Sequence, residues 1–294
     1  METLLVTRDA ELAGLMTVTL HRPDKLNAIN FAMHAELQEL CRELQDDAKT
    51  RVLILTGAGR AFSSGADLGR RPAQGEAGRQ PPPIAATGTA LEERLRATAG
   101  NRTSAALEGL DQVTIAAVNG LAIGGAVVFL ACLDLRIAAE TAWFSIPEVE
   151  LNIPLTWNAL PRLMRELGPA RTKELVMACD RFSAEDALRW GFLNHVVPLA
   201  ELLSRARSLA ARLLSMDPMA LALTKSATNA LAQLMVPGQV TYSDRELLML
   251  ASRVARPRLP MRRNADGPEP STASTRQSTH AQPPPRWEPL GRGV

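Results

Sequence analysis

Two glycine-bearing turns and one carboxylate are the residues of this sequence best placed to do chemistry. The first turn is Gly57-Ala58-Gly59-Arg60-Ala61-Phe62-Ser63-Ser64-Gly65-Ala66-Asp67-Leu68, directly after an apolar run. The second, Asn119-Gly120-Leu121-Ala122-Ile123-Gly124-Gly125-Ala126, also follows an apolar run and leads into the all-apolar stretch 127–133, which suits a buried helix. Glycines at the start of a buried helix leave N–H groups without intrahelical partners, open to a ligand oxygen. Two such donors converging on one carbonyl oxygen would stabilise negative charge developing there, by roughly 3–4 kcal/mol each. Either turn alone more often serves close packing or simple chain reversal. Only their joint occurrence carries weight. Neither has the spacing of a phosphate or dinucleotide loop.

The carboxylate is Glu148, in Ser145-Ile146-Pro147-Glu148-Val149-Glu150. A glutamate after proline is, by itself, ordinarily a solvated loop residue. Glu150 and Asp67 are the candidates for a second carboxylate, although Glu150 reads as a surface charge and Asp67 as a residue that fixes its loop or balances its charge.

An α/β scaffold must position these groups. Leu4–Thr7 and Leu15–Leu20 read as paired strands, the second alternating Met16, Val18 and Leu20 with Thr17 and Thr19. Met33, Leu37, Leu40, Leu44 and Ala48 recur at helical steps. Val52–Thr56, Ile115–Val118 and Leu133–Ala138 read as further strands, so strand-strand-helix units repeat. Ser183-Ala184-Glu185-Asp186 resembles a capping box opening a short helix that Gly191 ends. Leu202, Ala206, Leu209 and Leu213 mark an amphipathic helix, and another follows Pro218. Arg70 to about Gly88 reads as a mobile surface loop. The aliphatic-poor stretch from Asn264 to Val294 reads as disordered.

Composition narrows the function classes. With 33 basic and 31 acidic residues the formal net charge is +2, which gives no reason to invoke nucleic acid or a membrane surface as partner. Cys41, Cys132 and Cys179 form no C-x-x-C pair, and the four histidines are scattered, so free thiols and no metal site are expected. The N-terminus lacks the pattern of a signal peptide, and the apolar segment 115–135 is broken by Asn119-Gly120 and Gly124-Gly125. A cytoplasmic protein is the expectation.

Taken in order, these segments resemble the crotonase family, the enoyl-CoA hydratases and isomerases. Leu20-His21-Arg22-Pro23-Asp24-Lys25-Leu26-Asn27-Ala28 is similar to its N-terminal signature, Leu55–Leu68 to its first oxyanion loop, and Ile115–Gly125 with Asp134-Leu135-Arg136-Ile137-Ala138 to its second. Pro147-Glu148, Pro161-Arg162-Leu163 and Gly191-Phe192-Leu193-Asn194-His195-Val196-Val197 follow in family order, so the resemblance covers roughly residues 3–250. It implies a spiral of ββα units over residues 1–198, a C-terminal helical oligomerisation region over 199–254, and leaves 255–294 as the disordered tail. It also implies homotrimers or hexamers, and no separate cofactor, since coenzyme A is part of the substrate.

By the same resemblance the backbone N–H groups of Ala66 and Gly125 form an oxyanion hole for a thioester enolate. Ala66, Asp67, Leu68 and Gly125, with Lys25, Leu26 and Ala28, line the substrate site. Glu148 is the proton-transfer group, and Phe144, Ile146 and Ile153 would raise its pKa toward neutrality. Family hydratases carry another carboxylate three residues beyond the oxyanion glycine, where this chain has Val128. A lone glutamate is the arrangement of the family's isomerases, so proton shuttling is expected. A hydratase with a relocated acid and a non-catalytic acyl-CoA binding protein are the alternatives. A second departure is Arg256-Pro257-Arg258-Leu259-Pro260, which stands where family members have a further helix.

Overall fold

The first ββα unit follows from the sequence pattern. β1 (Leu4–Arg8) pairs antiparallel with β2 (Leu15–Leu20), with Leu4 opposite Leu20 and Arg8 opposite Met16. Met16, Val18 and Leu20 of β2 are buried while Thr17 and Thr19 are half-buried, as a period of two demands. α1 (Phe31–Gln45) starts where the Asn30 side chain accepts the Met33 N–H, and it buries Met33, Leu37, Leu40, Cys41 and Leu44 along one stripe. The computed structural model describes residues 1–68, 89–238 and 244–247.

The unit then repeats. β3 (Val52–Gly57) and β4 (Ala61–Ser63) precede α2 (Ala90–Ala97) and α3 (Ala99–Glu108). β5 (Val113–Val118), β6 (Leu121–Ile123) and α4 (Gly125–Ala131) make the next unit, and β7 (Leu135–Ala139), β8 (Trp143–Ser145) and α5 (Ala159–Ala178) the one after. β9 (Phe182–Ser183), α6 (Ala184–Arg189) and β10 (His195–Val197) complete the sheets. Both strands of the first unit belong to a six-stranded sheet ordered β1-β2-β3-β5-β7-β10; in the later units the longer strand joins that sheet and the shorter joins a four-stranded sheet ordered β4-β6-β8-β9. From β2 onward the large sheet is parallel. From β3 to α5 each turn of chain therefore adds one strand to each sheet and returns through a helix. The result is a crotonase-like spiral of ββα units.

α6 opens with the expected capping box between Ser183 and Asp186. α7 (Leu202–Leu214) buries Leu202, Ala206 and Ala210 against Leu15, Val52, Ile54, Ile115 and Ile137 on the outer face of the large sheet. α8 (Pro218–Met235) buries no residue and leaves Leu223, Leu231, Leu234 and Met235 exposed. Among the described residues no helix is long and apolar enough to cross a membrane. The expected mobile loop Arg70–Gly88, the proline-broken segment 256–260 and the expected disordered tail 255–294 lie outside the described residues.

Candidate functional site

β4 and β6 lie side by side, and the loops leaving them bring the two glycine-bearing turns together. Gly65 has φ +82°, its carbonyl accepts the Ile29 N–H at 2.8 Å, and the Asp67 N–H donates to the Ile29 carbonyl at 2.9 Å. In this parallel bridge the N–H of Ala66, between the two bonding peptides, points away from Ile29. A β-carbon on Gly65 would collide with the Ile123 carbonyl oxygen and lie 3.4 Å from the Gly125 nitrogen, so the loops pack backbone on backbone. Gly125 is the first residue of α4, where a helix has no internal acceptor for the N–H.

Ala66 and Gly125 border one cavity, together with Asp67, Leu68, Val128 and Glu148. Its volume of about 220 Å³ is several times the roughly 30 Å³ share of a liquid water, enough for a small organic group. Glu148 reaches it because the chain leaves β8 at Ser145, whose carbonyl accepts the Gly124 N–H at 2.8 Å and so ties the start of α4 to the Ile146-Pro147-Glu148 turn. That turn closes where the Leu151 and Ile153 N–H groups both donate to the Glu148 carbonyl at 3.0 Å. The residue is half-buried, but its Oε2 is enclosed without a hydrogen-bond partner among the described residues. Burial pushes the Glu148 carboxyl up to about 7, a hydrogen bond from its own backbone opposing only part of the rise. Ile153 borders the cavity as expected, whereas Phe144 and Ile146 are buried in the core behind it.

Lys25, Leu26 and Ala28 do not line this cavity. They back the Ala66 loop instead. The Leu26 carbonyl accepts the Ser64 N–H at 2.9 Å, and Arg22 donates to the Ala28 carbonyl at 2.5 Å and to Asp67 Oδ2 at 2.8 Å. Asp67 thus ties down its loop through an ion pair with Arg22. Lys25 is exposed, and Glu150 is an exposed residue outside the cavity lining. Val128 is 1% exposed and brings only methyl groups to the wall.

The described residues contain no group of three or more His, Cys, Asp or Glu able to hold a metal ion. The family model described as enoyl-CoA hydratase/isomerase matches residues 10–255. The chain belongs to the enoyl-CoA hydratase/isomerase family.

Within this family the chain is 36% identical over 242 residues to carnitinyl-CoA dehydratase of Escherichia coli K12, covering 82% of this chain and 85% of that one. It is 33% identical over 229 residues to crotonyl-CoA hydratase of Syntrophomonas wolfei, covering 78% and 82%. Among solved structures it superposes on an enoyl-CoA hydratase from Bacillus anthracis with a TM-score of 0.69, 30% identity and coverage of 85% and 90%. A monofunctional enoyl-CoA isomerase from M. smegmatis gives 0.63, 29%, 79% and 95%.

In this enoyl-CoA hydratase/isomerase family member the cavity also has walls that the sequence pattern did not reveal. The Trp157 ring lies on the Gly125 and Gly100 backbones, stacks on Phe129 at 5.4 Å between centroids and meets the His34 ring edge-on at 4.9 Å. Trp157 and Asn158 both adopt left-handed backbone conformations. That turn is held by Arg162, which donates to the Asn158 carbonyl at 2.8 Å, and by Asp244, which accepts the Asn158 N–H at 2.6 Å and the Asn101 amide at 2.9 Å. No periodicity marks an isolated Trp-Asn pair, and His34 sits on the apolar stripe of α1, where a histidine is read as core.

Proposed function

We propose that this chain is an acyl-CoA enzyme that moves a double bond between the β,γ and α,β positions of an enoyl thioester. The observation that carries the proposal is one cavity bordered by the Ala66 and Gly125 backbones, the Glu148 carboxylate and the inert Val128. The amides of Ala66 and Gly125 hold the thioester oxygen. Glu148 takes a proton from the α-carbon, and the electron pair moves onto that oxygen as a dienolate stabilised by the two N–H groups. Glu148 then returns the proton to the γ-carbon, which leaves the double bond in conjugation. A carboxyl near pH 7 suits both directions, since its proton is neither too firmly nor too loosely held. In this reading Leu68 at the cavity border and the Lys25–Ala28 segment behind the Ala66 loop are the groups that meet the coenzyme A portion.

Two further parts of the proposal rest on the surface and the thiols. The exposed Leu223, Leu231, Leu234 and Met235 of α8 make an apolar face suited to contact between copies in a trimer. Cys41, Cys132 and Cys179 are all free and buried, in keeping with a cytoplasmic protein.

A hydratase reading is favoured by the names of the two curated relatives above, a hydratase and a dehydratase. The deciding experiment supplies β,γ- and α,β-enoyl-CoA esters in ¹⁸O-labelled water. Double-bond migration without label at the β-carbon is expected. Labelled 3-hydroxyacyl product as the main outcome would replace isomerisation by hydration, and saturable binding without turnover on either ester would make the chain a binding protein.

A further inference from the structure

The cavity holds a polar group that the proton transfer does not use. His34 on α1 is 5% exposed and borders the cavity, while much of the surrounding wall is apolar: Ile29, Val128, Ile153, Leu155 and Trp157. Its Nδ1 lies 2.8 Å from Thr103 Oγ1. That hydroxyl accepts from the Gln38 amide at 2.8 Å, and its single proton has the Ala99 carbonyl one helical turn back at 3.0 Å as an acceptor besides Nδ1. With that proton on the Ala99 carbonyl, the arrangement taken in this proposal, Thr103 is the acceptor toward His34 and the imidazole carries its proton on Nδ1 and a lone pair on Nε2. Nε2, on the far side of the ring from Thr103, has no partner among the described residues. Burial holds the imidazole down at about 4, which keeps it neutral and the lone pair available at physiological pH.

Position along the cavity says what meets this lone pair. The six-membered ring of Trp157 lies on Gly125, and His34 stands edge-on to the same indole. A thioester oxygen held at the Gly125 N–H thus places the acyl chain along the indole before it reaches His34. A hydrocarbon chain would strip water from Nε2 and return no donor, an unfavourable exchange for a buried acceptor. A hydroxyl would supply the donor. Sites that hydrogen-bond a substrate hydroxyl discriminate strongly against analogues that lack it.

We propose that His34 Nε2 accepts a hydrogen bond from a hydroxyl carried beyond the β-carbon, which makes hydroxylated acyl-CoA thioesters the preferred ligands of this cavity. The proposal rests on the acyl-CoA assignment above. Calorimetry on the full-length protein tests it with saturated pairs of equal length, butanoyl- against 4-hydroxybutanoyl-CoA through hexanoyl- against 6-hydroxyhexanoyl-CoA. At one length or more the hydroxylated member binds about tenfold tighter, and His34→Leu reduces that ratio to near one. A wild-type ratio near one at every length, or a ratio that survives His34→Leu, overturns the role of His34 while leaving the acyl-CoA assignment standing. Failure of every acyl-CoA to bind overturns both. A second readout needs no variant: in ¹⁵N-histidine-labelled wild type, the His34 Nε2 resonance shifts with the hydroxylated ligand and not with its plain counterpart. Equal shifts with both ligands reject the hydrogen bond even if the variant does not fold.

Discussion

The carboxylate of Glu148 rests against the α-carbon of Gly124, where a β-carbon would lie 2.5 Å from Oε1. Gly124 also has φ +53°, a backbone conformation that side chains resist. Gly124→Ala therefore combines local strain of about 1–3 kcal/mol with displacement of the proposed proton carrier. Misplacement by about an ångström costs on the order of 10²-fold in rate. The expected result is a folded protein with kcat reduced about 10²-fold. Denaturant titration reports the strain, and a kcat within twofold of wild type would show that the Gly124–Glu148 contact has no part in turnover.

Two opposite pH dependences follow from Glu148. The ionised form takes the proton, so kcat/KM should rise through pH about 7 as a single ionisation. Stability should fall over the range just below it, between about pH 4.5 and 7. The folded-state pKa of about 7 lies above the ordinary 4.5, so the folded protein binds this proton more tightly than the unfolded chain does. As pH rises from 4.5 to 7 the unfolded chain gains increasingly by ionising, and above 7 the loss levels off at no more than about 3 kcal/mol. Glu148→Gln should then lose roughly 10²–10⁴-fold in turnover. Thermal melts should find it more stable than wild type at pH 8 and indistinguishable at pH 4; equal melting at both values would remove burial as the cause of the raised pKa.

How far the sequence discloses this molecule depends on whether a feature has a period. β2 and α1 are legible because their buried residues fall at steps of two and of three to four. The short strands of the small sheet are not, since Ala61–Ser63, Leu121–Ile123 and Trp143–Ser145 are too brief to show alternation. α5 is obscured by Gly168, non-helical at φ 72° and ψ 167°, followed by Pro169. Ala66, Gly125 and Glu148 come from ordered motifs and do share one cavity. Trp157 and His34 border it through a left-handed turn and a tertiary contact, neither of which leaves a local pattern.

Arg162 offers a prediction about the scaffold alone. It is 2% exposed, pairs with Glu108 at 2.6 Å and supplies hydrogen bonds to the Trp157 and Asn158 carbonyls. Removing one member of a buried pair costs about 3–5 kcal/mol. Glu108 keeps Arg165 at 2.5 Å, so Arg162→Met should fall near the lower end, at about 3 kcal/mol. Arg165→Met should cost less, because among the described residues Arg165 donates to no carbonyl of the Trp157 turn and Glu108 would retain Arg162. Urea unfolding of both variants checks the order, and a reversed order would mean that the turn does not depend on Arg162.

Val128 separates the two reactions most directly. It stands three residues after Gly125 on α4, close to one helical turn, and borders the same cavity as Glu148. A side chain of methyl groups can neither deliver a hydroxide equivalent nor take a proton from water, so position 128 supplies no base for attack at the β-carbon. Val128→Glu places a second carboxyl on that wall, at the expense of burying a charge where only 1% of the residue is exposed. The variant should melt lower than wild type by several degrees and should raise the ratio of hydration to isomerisation at least about tenfold, the low end of what one acid or base group contributes. Product analysis in ¹⁸O-labelled water measures that ratio. If wild type already incorporates the label as fast as the variant, water reaches the β-carbon without a group at position 128, and the isomerase assignment fails.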